Sequence, residues 1–81
     1  FDLNFKEQSA CWFILNKTKQ IVSKKFNPDG FNVGLNINLA AGQTVPHVHI
    51  HLIPRYKGDV KNPTGGVRNV IPEKGDYTIK L

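Results

Sequence analysis

The chain has 81 residues, a formal net charge of +5 and one cysteine. This length allows one small domain at most, one cysteine excludes an internal disulfide, and no apolar run approaches the roughly 20 residues of a membrane span. We therefore expect no membrane partner. The excess of basic over acidic residues favours anionic partners such as phosphates. The lysines are scattered singly, however, so we expect no specific nucleic-acid binding. Because the chain begins at Phe1 and contains no methionine, we expect the later part of a longer cytoplasmic protein.

The first predicted element is a helix over about residues 5–25. Asn4 and Glu7 have the spacing of a capping box, which satisfies free amide groups at a helix start. Apolar residues then recur at the helical period and form a stripe that can pack on a sheet. This stripe contains Cys11, Ile14, Leu15, Ile21 and Val22. Pro28 and Gly30 predict the turn that ends the helix.

Two strands are predicted next, at about residues 31–38 and 47–53. In the first strand apolar residues alternate with Asn and Gly, which is the period of a half-buried strand. In the second strand histidines alternate with Val, Ile and Leu. Because successive side chains of a strand point to opposite faces, we expect His47, His49 and His51 on one face and the apolar residues towards a core.

The loop between these strands supplies candidate phosphate donors. Strands joined by a short loop pair antiparallel most often. If both strands bury the same face, Asn36 and the loop lie beside the three histidines and form one polar site. Backbone N–H groups of Gly42, Gln43 and Thr44, together with the side chains of Gln43 and Thr44, would then be donors for phosphate oxygens.

The residues alone leave three uses of the histidines open. A zinc ion could bind two of them, but not all three, because His47 and His51 are about 13 Å apart along a strand and Zn–N bonds are only about 2.1 Å long. A neutral imidazole is also a nucleophile near pH 7 and can attack phosphorus to form a covalent intermediate. Alternatively, the histidines decorate an exposed strand face without a chemical role.

Residues 57–81 form a predicted irregular tail that is rich in Gly and Pro and contains several basic residues. Two interpretations are open for this tail. It is either an ordered segment that closes over a site or reaches a partner subunit, or a flexible terminus. Val67, Val70 and Ile71 are the apolar residues expected to dock on a surface.

The segment from Ala41 to Ile53 resembles the signature of the histidine-triad (HIT) family, including its phosphate-binding loop. Residues 53–56 and 65–72 are similar to bacterial members. The branch that the chain resembles most contains the diadenosine polyphosphate hydrolases and fragile-histidine-triad-like proteins. The resemblance implies an α+β fold in which an antiparallel sheet packs on a long helix. Here the order would be helix–strand–loop–strand plus the tail, with residues 1–81 as the C-terminal part of one domain, usually within a homodimer.

The same resemblance implies a nucleotide hydrolase or transferase that acts at the α-phosphate of a dinucleoside polyphosphate or a related nucleotide. His49 would be the nucleophile and form a nucleotidyl-histidine, which water cleaves to release a nucleoside monophosphate. His51 would contact the α-phosphate, and His47 would orient the site and assist the leaving group. The phosphate-binding residues would be Asn36, Gly42, Gln43, Thr44 and His51. The family needs no metal at the histidines, although some members use Mg²⁺ with the substrate.

Two departures from the family accompany the resemblance. We expect the family's first half, which supplies much of the base pocket, to precede Phe1. Many relatives also have Gly around Asn38 and Leu39, so we expect a differently bent loop in this chain. Phosphoramidases of the family usually have Ser at the position of Thr44, which makes that activity a secondary expectation. The alternatives are a non-catalytic nucleotide-binding module and, less favoured, a zinc-binding protein.

Overall fold

The computed structural model of the chain describes residues 3–77. A long helix is followed by two strands that pair antiparallel, which confirms the predicted α+β class and the helix–strand–loop–strand order. Short 3₁₀ turns occupy the loop between the strands and the tail. The elements are α1 (Phe5–Phe26), β1 (Gly30–Leu35), β2 (Ile50–Arg55) and 3₁₀ turns at Leu39–Ala41, Gly66–Val70 and Pro72–Lys74.

Helix α1 begins and ends where its sequence predicts. The Asn4 side chain accepts a hydrogen bond from the Glu7 amide at 2.8 Å, and the Glu7 carboxylate accepts one from the Asn4 amide at 3.0 Å. This is the predicted capping box. At the other end Asn27 adopts a left-handed conformation, and its amide donates to the Ser23 carbonyl at 3.1 Å. No helix within residues 3–77 is long and apolar enough to cross a membrane.

Both strands differ from their predicted bounds at the end nearest the loop. The predicted strand 31–38 stops at Leu35, and the predicted strand 47–53 begins only at Ile50. The physical reason is Asn38, whose φ of 69° is a left-handed value that takes the backbone out of a regular strand. The ladder therefore ends with the pair Leu35 and Ile50. His47 and His49 precede β2, and only His51 belongs to it, which corrects the prediction of three histidines on one strand.

One face of the hairpin packs towards α1. Residues paired across the ladder share a face, so Phe31, Val33 and Leu35 lie with Pro54, Leu52 and Ile50. A groove of about 220 Å³ separates this apolar face from the helix. Its lining is Cys11, Ile14, Leu15, Thr18, Val48, Ile50 and Leu52. Within residues 3–77 no hydrophobic side chain is buried, so this helix–sheet layer is open to solvent.

The described part of the tail is ordered by its own hydrogen bonds. The Asn62 side chain donates to Asp76 at 2.8 Å, and the Asn69 side chain donates to the Thr64 carbonyl at 3.3 Å. Gly65, at a φ of 93°, lies so close to the backbone of Gly75 that a β-carbon would collide with it. These contacts favour the ordered interpretation for residues 57–77. Val67, Val70 and Ile71, the apolar residues that could dock on a surface, are exposed in the described chain.

Candidate active site

Exposed histidines alternate with half-buried apolar residues, although two of the three histidines lie outside the strand. Their side chains are exposed. The intervening Val48 and Ile50 are half-buried and line the groove against α1. The apolar residues are thus anchored on the helix side, which directs the imidazoles away from it. The predicted separation of apolar and imidazole sides is therefore present.

Asn36 and His49 lie together at the loop end of the hairpin. Extending the register by one step beyond the last pair places Asn36 across from His49. Both residues, with Gln43, line one small cleft whose other walls are Leu35, Ile37 and Val48. Within residues 3–77 no hydrogen bond engages the side chain of Asn36 or His49. An amide donor and an imidazole nitrogen are therefore both free to meet one ligand.

The loop backbone uses two of the amides that were expected to bind phosphate. The Gly42 amide donates to the Leu39 carbonyl at 2.9 Å, and the Gln43 amide donates to the Asn38 carbonyl at 3.1 Å. Both amides thus have carbonyl partners in this structure, and phosphate binding by Gly42 and Gln43 stays a prediction. Thr44 differs, since no hydrogen bond within residues 3–77 involves its amide or hydroxyl.

The Gln43 side chain is also engaged inside the loop. Its Oε1 accepts from the Asn38 amide at 2.6 Å, and its Nε2 donates to the His47 carbonyl at 3.4 Å. Residue patterns predicted a phosphate donor here and missed this contact. The signal that pointed to it is the absence of Gly around Asn38, because a non-glycine residue in that loop needs compensating contacts.

A second polar cluster lies at the opposite end of the hairpin. Arg55 binds Asp59 through Nε to Oδ2 at 2.7 Å and Nη2 to Oδ1 at 2.8 Å, and its Nη1 donates to the Asn32 side chain. These groups line a wider cleft of about 420 Å³. The arginine hydrogen bonds hold the pKa of Asp59 well below its usual range, and the same carboxylate raises the pKa of Arg55. The residue patterns did not indicate this pair, although Arg55 and Asp59 flank a turn containing Gly58 at a φ of 83°.

No three His, Cys, Asp or Glu side chains converge on a possible metal position within residues 3–77. His47 and His51 do not line the cleft that contains His49. The described residues bring together Asn36, Gln43 and His49, with Gly42 adjacent, since a β-carbon there would lie 3.9 Å from the side-chain amide nitrogen of Asn36.

The sequence that contains the histidine segment matches a known protein family. Residues 1–58 match the sequence profile of the HIT domain. The chain belongs to the HIT domain family. This match confirms the family resemblance that was inferred from the histidines and the preceding loop. All the predicted site residues of this HIT chain lie within the matched range, whereas most of the tail lies beyond it.

Several curated relatives are similar to this HIT chain. A bis(5'-nucleosyl)-tetraphosphatase (asymmetrical) from Schizosaccharomyces pombe is 41% identical over 58 residues, which cover 72% of the chain and 32% of the relative. A bis(5'-adenosyl)-triphosphatase from Dictyostelium discoideum is 41% identical over 61 residues, which cover 75% and 41%. An AP-4-A phosphorylase from Mycobacterium tuberculosis is 36% identical over 75 residues, which cover 89% and 38%. The HIT chain thus spans between 32% and 41% of the length of these relatives.

Proposed function

We propose that this HIT chain supplies the nucleophilic site of an enzyme that hydrolyses or transfers nucleotides at an α-phosphate. The observation that carries the proposal is the single cleft that holds His49 and the free amide of Asn36. The names of the relatives support the substrate class, because they denote enzymes of dinucleoside tetraphosphates and triphosphates. We therefore propose a dinucleoside polyphosphate, or a nucleotide of related structure, as the substrate.

In the proposed first step, the electron pair of a His49 ring nitrogen forms a bond to the α-phosphorus. The bond from that phosphorus to the bridging oxygen breaks, and the leaving nucleotide departs with this oxygen. Water then adds to the phosphorus and the P–N bond breaks, which releases a nucleoside monophosphate and restores the imidazole. Splitting the hydrolysis in this way replaces one difficult displacement with two easier ones.

The neighbouring polar groups would stabilise charge that develops on the phosphate oxygens. Asn36 would donate its side-chain N–H across the cleft, and Thr44 would donate its free amide and hydroxyl. His51, two residues after His49 and also exposed, would contact the same phosphate. His47 would orient the site and assist the leaving oxygen. Mg²⁺, where it takes part, would arrive bound to the polyphosphate.

Two further predictions from the family resemblance accompany this proposal. The protein would act as a homodimer, and it would act in the cytoplasm. Sedimentation of the full-length protein measures the first, and fractionation of cells measures the second. Neither prediction enters the chemistry proposed for His49.

Substitution of His49 by Ala tests the proposed chemistry. In the full-length protein we expect His49→Ala to lower the turnover of diadenosine polyphosphates by several orders of magnitude, because no other group replaces the nucleophile. The circular dichroism spectrum should stay unchanged, since the side chain is exposed. Ser9→Ala, on an exposed part of α1, is the control and should keep full activity. Full turnover by His49→Ala would refute the proposal.

A further inference from the structure

We propose that Gln43 is a positioning residue, which holds the histidine loop in shape by bracing a strained backbone at Asn38. The kinetic part of this inference rests on the proposed function, whereas its structural part does not. Gln43 thereby gains a role inside the loop that differs from direct contact with phosphate.

The strain lies at Asn38, where the chain leaves β1 and enters the loop. This residue has φ 69° and ψ 167°, a backbone conformation that is found almost only at glycine. Side chains with a β-carbon adopt it only where the surroundings enforce it. In this chain the enforcing contacts come from the loop itself.

Gln43 fixes both polar groups of the Asn38 backbone. Its side-chain Oε1 accepts from the Asn38 amide at 2.6 Å, and its own amide donates to the Asn38 carbonyl at 3.1 Å. The Ala41 amide donates to the same carbonyl, also at 3.1 Å. Gln43 therefore provides a hydrogen-bond partner for both the amide and the carbonyl of Asn38. In an ordinary loop these two backbone groups would bond to water.

The same side chain reaches the far end of the loop. Its Nε2 donates to the His47 carbonyl at 3.4 Å, which is long for a hydrogen bond. Asn38 follows Asn36 by two residues, and His47 precedes His49 by two. These hydrogen bonds of Gln43, here called the brace, thus connect the two chain segments that contain Asn36 and His49, which line the same cleft.

This connection has a consequence for the reaction. A displacement of about 1 Å between a nucleophile and its target can lower the rate on the order of a hundredfold. Loss of the brace should therefore slow the chemical step more than it weakens nucleotide binding. A Gln43 that only contacted phosphate would weaken binding or lower kcat through lost charge stabilisation, but in both cases the loop would stay intact and Asn38→Gly would restore no activity.

Amide hydrogen exchange at Asn38 tests the brace without any nucleotide. In the full-length protein, we expect Gln43→Ala to speed exchange of this amide at least about tenfold, since the acceptor is lost. Gln43→Glu keeps an acceptor oxygen and should retain most of the protection. The control is Gln20→Ala, an exposed helix glutamine without a side-chain hydrogen bond within residues 3–77. Equal exchange rates in wild type and Gln43→Ala would overturn the proposal.

Kinetics and a second substitution test the consequence. We expect Gln43→Ala to lower kcat by about 10- to 100-fold while KM changes by less than about threefold. Asn38→Gly removes the steric penalty of the positive φ, so adding it to Gln43→Ala should restore most of the lost kcat. This pair also covers the case in which Gln43→Ala alone fails to fold, because the double variant should fold.

Three outcomes contradict the kinetic part of the proposal. They are a raised KM with unchanged kcat, no recovery of kcat on adding Asn38→Gly, or failure of the double variant to fold. If wild-type protein turned over no nucleotide, the proposed function would fail while the exchange of the Asn38 amide still tested the brace.

Discussion

At the scale of single residues, Arg55 and Asp59 form the best-defined ion pair of the described chain. The side-chain hydrogen bonds from Arg55, and then the Tyr56 amide, lower the pKa of Asp59 well below the ordinary value of 3.8. The folded state therefore favours the ionised carboxylate more than the unfolded state does. This contribution to stability is present above about pH 3.8 and is lost as the pH falls further towards the lowered pKa.

Asp59→Asn should make the stability of the full-length protein less sensitive to acid. Between about pH 5 and pH 3, the free energy of unfolding of the wild type should fall more steeply than that of the variant, because only the wild type takes up the Asp59 proton on unfolding. Urea unfolding at several pH values measures both slopes. Glu73→Gln is the control, since the Glu73 carboxylate has no hydrogen bond within residues 3–77. Identical slopes for wild type and Asp59→Asn would contradict the assignment.

Residue patterns predicted the exposure of the candidate site residues better than their hydrogen bonding. The alternation of His49 with Val48 and Ile50 correctly predicted which side chains face solvent. The register that brings Asn36 towards His49 followed from the hairpin. The engagement of Gln43 with Asn38 was missed although the absence of Gly around Asn38 signalled it, because it depends on a backbone conformation that non-glycine residues rarely adopt.

At the scale of elements, helix α1 owes its sharp start to reciprocal hydrogen bonds between Asn4 and Glu7. Capping satisfies amides that the first helical turn leaves without partners. The helix contributes half of the apolar groove behind β2, through Cys11, Ile14 and Leu15. A frayed start would therefore loosen the layer on which the histidine segment rests.

Asn4→Ala should destabilise the full-length protein by about 1 kcal/mol, the usual effect of removing an N-cap side chain. Thermal unfolding followed by circular dichroism measures this change. Asn16→Ala, at an exposed site in the middle of the same helix, provides a matched control with the opposite expected sign, because Ala is the better helix former there. Equal effects of the two substitutions would show that the cap contributes nothing specific.

Sequence predicted the elements unequally, and the reasons are physical. The helix sequence has an N-cap, apolar residues at the helical period and a stop signal, so the predicted range 5–25 agrees with Phe5–Phe26. The strands carry only a period, which continues beyond the point where pairing stops, so their ends near the loop were wrong. The 3₁₀ turns of the tail are too short to give any periodic signal.

At the scale of the whole molecule, the described chain exposes its apolar layer. Trp12 is 47% exposed, Phe13 64% and Ile21 63%, and no hydrophobic side chain of residues 3–77 is buried. The chain also spans 41% or less of the relatives named above. The full-length protein is therefore the proper subject of every kinetic measurement proposed for this site.

The fold class and the family could both be predicted from the sequence, because the histidine segment and its loop form a specific motif. The family assignment is confirmed by the HIT match over residues 1–58. The preferred base could not be predicted, since none of the described residues was identified as a base contact. The length of the phosphate chain is likewise a question for a panel of diadenosine polyphosphates and nucleoside phosphoramidates.

The central claim is that His49 carries a covalent nucleotide during turnover, and a rapid-quench experiment measures this directly. Full-length protein is mixed with a diadenosine polyphosphate, quenched within the first turnover, and digested for mass spectrometry of the peptide around His49. We predict an added nucleoside monophosphate on His49 in the wild type and none in His49→Ala. Turnover by the wild type without any adduct, or an adduct that persists in His49→Ala, would contradict the claim. Nucleotide binding with neither adduct nor turnover would also contradict it, and would favour a non-catalytic binding module.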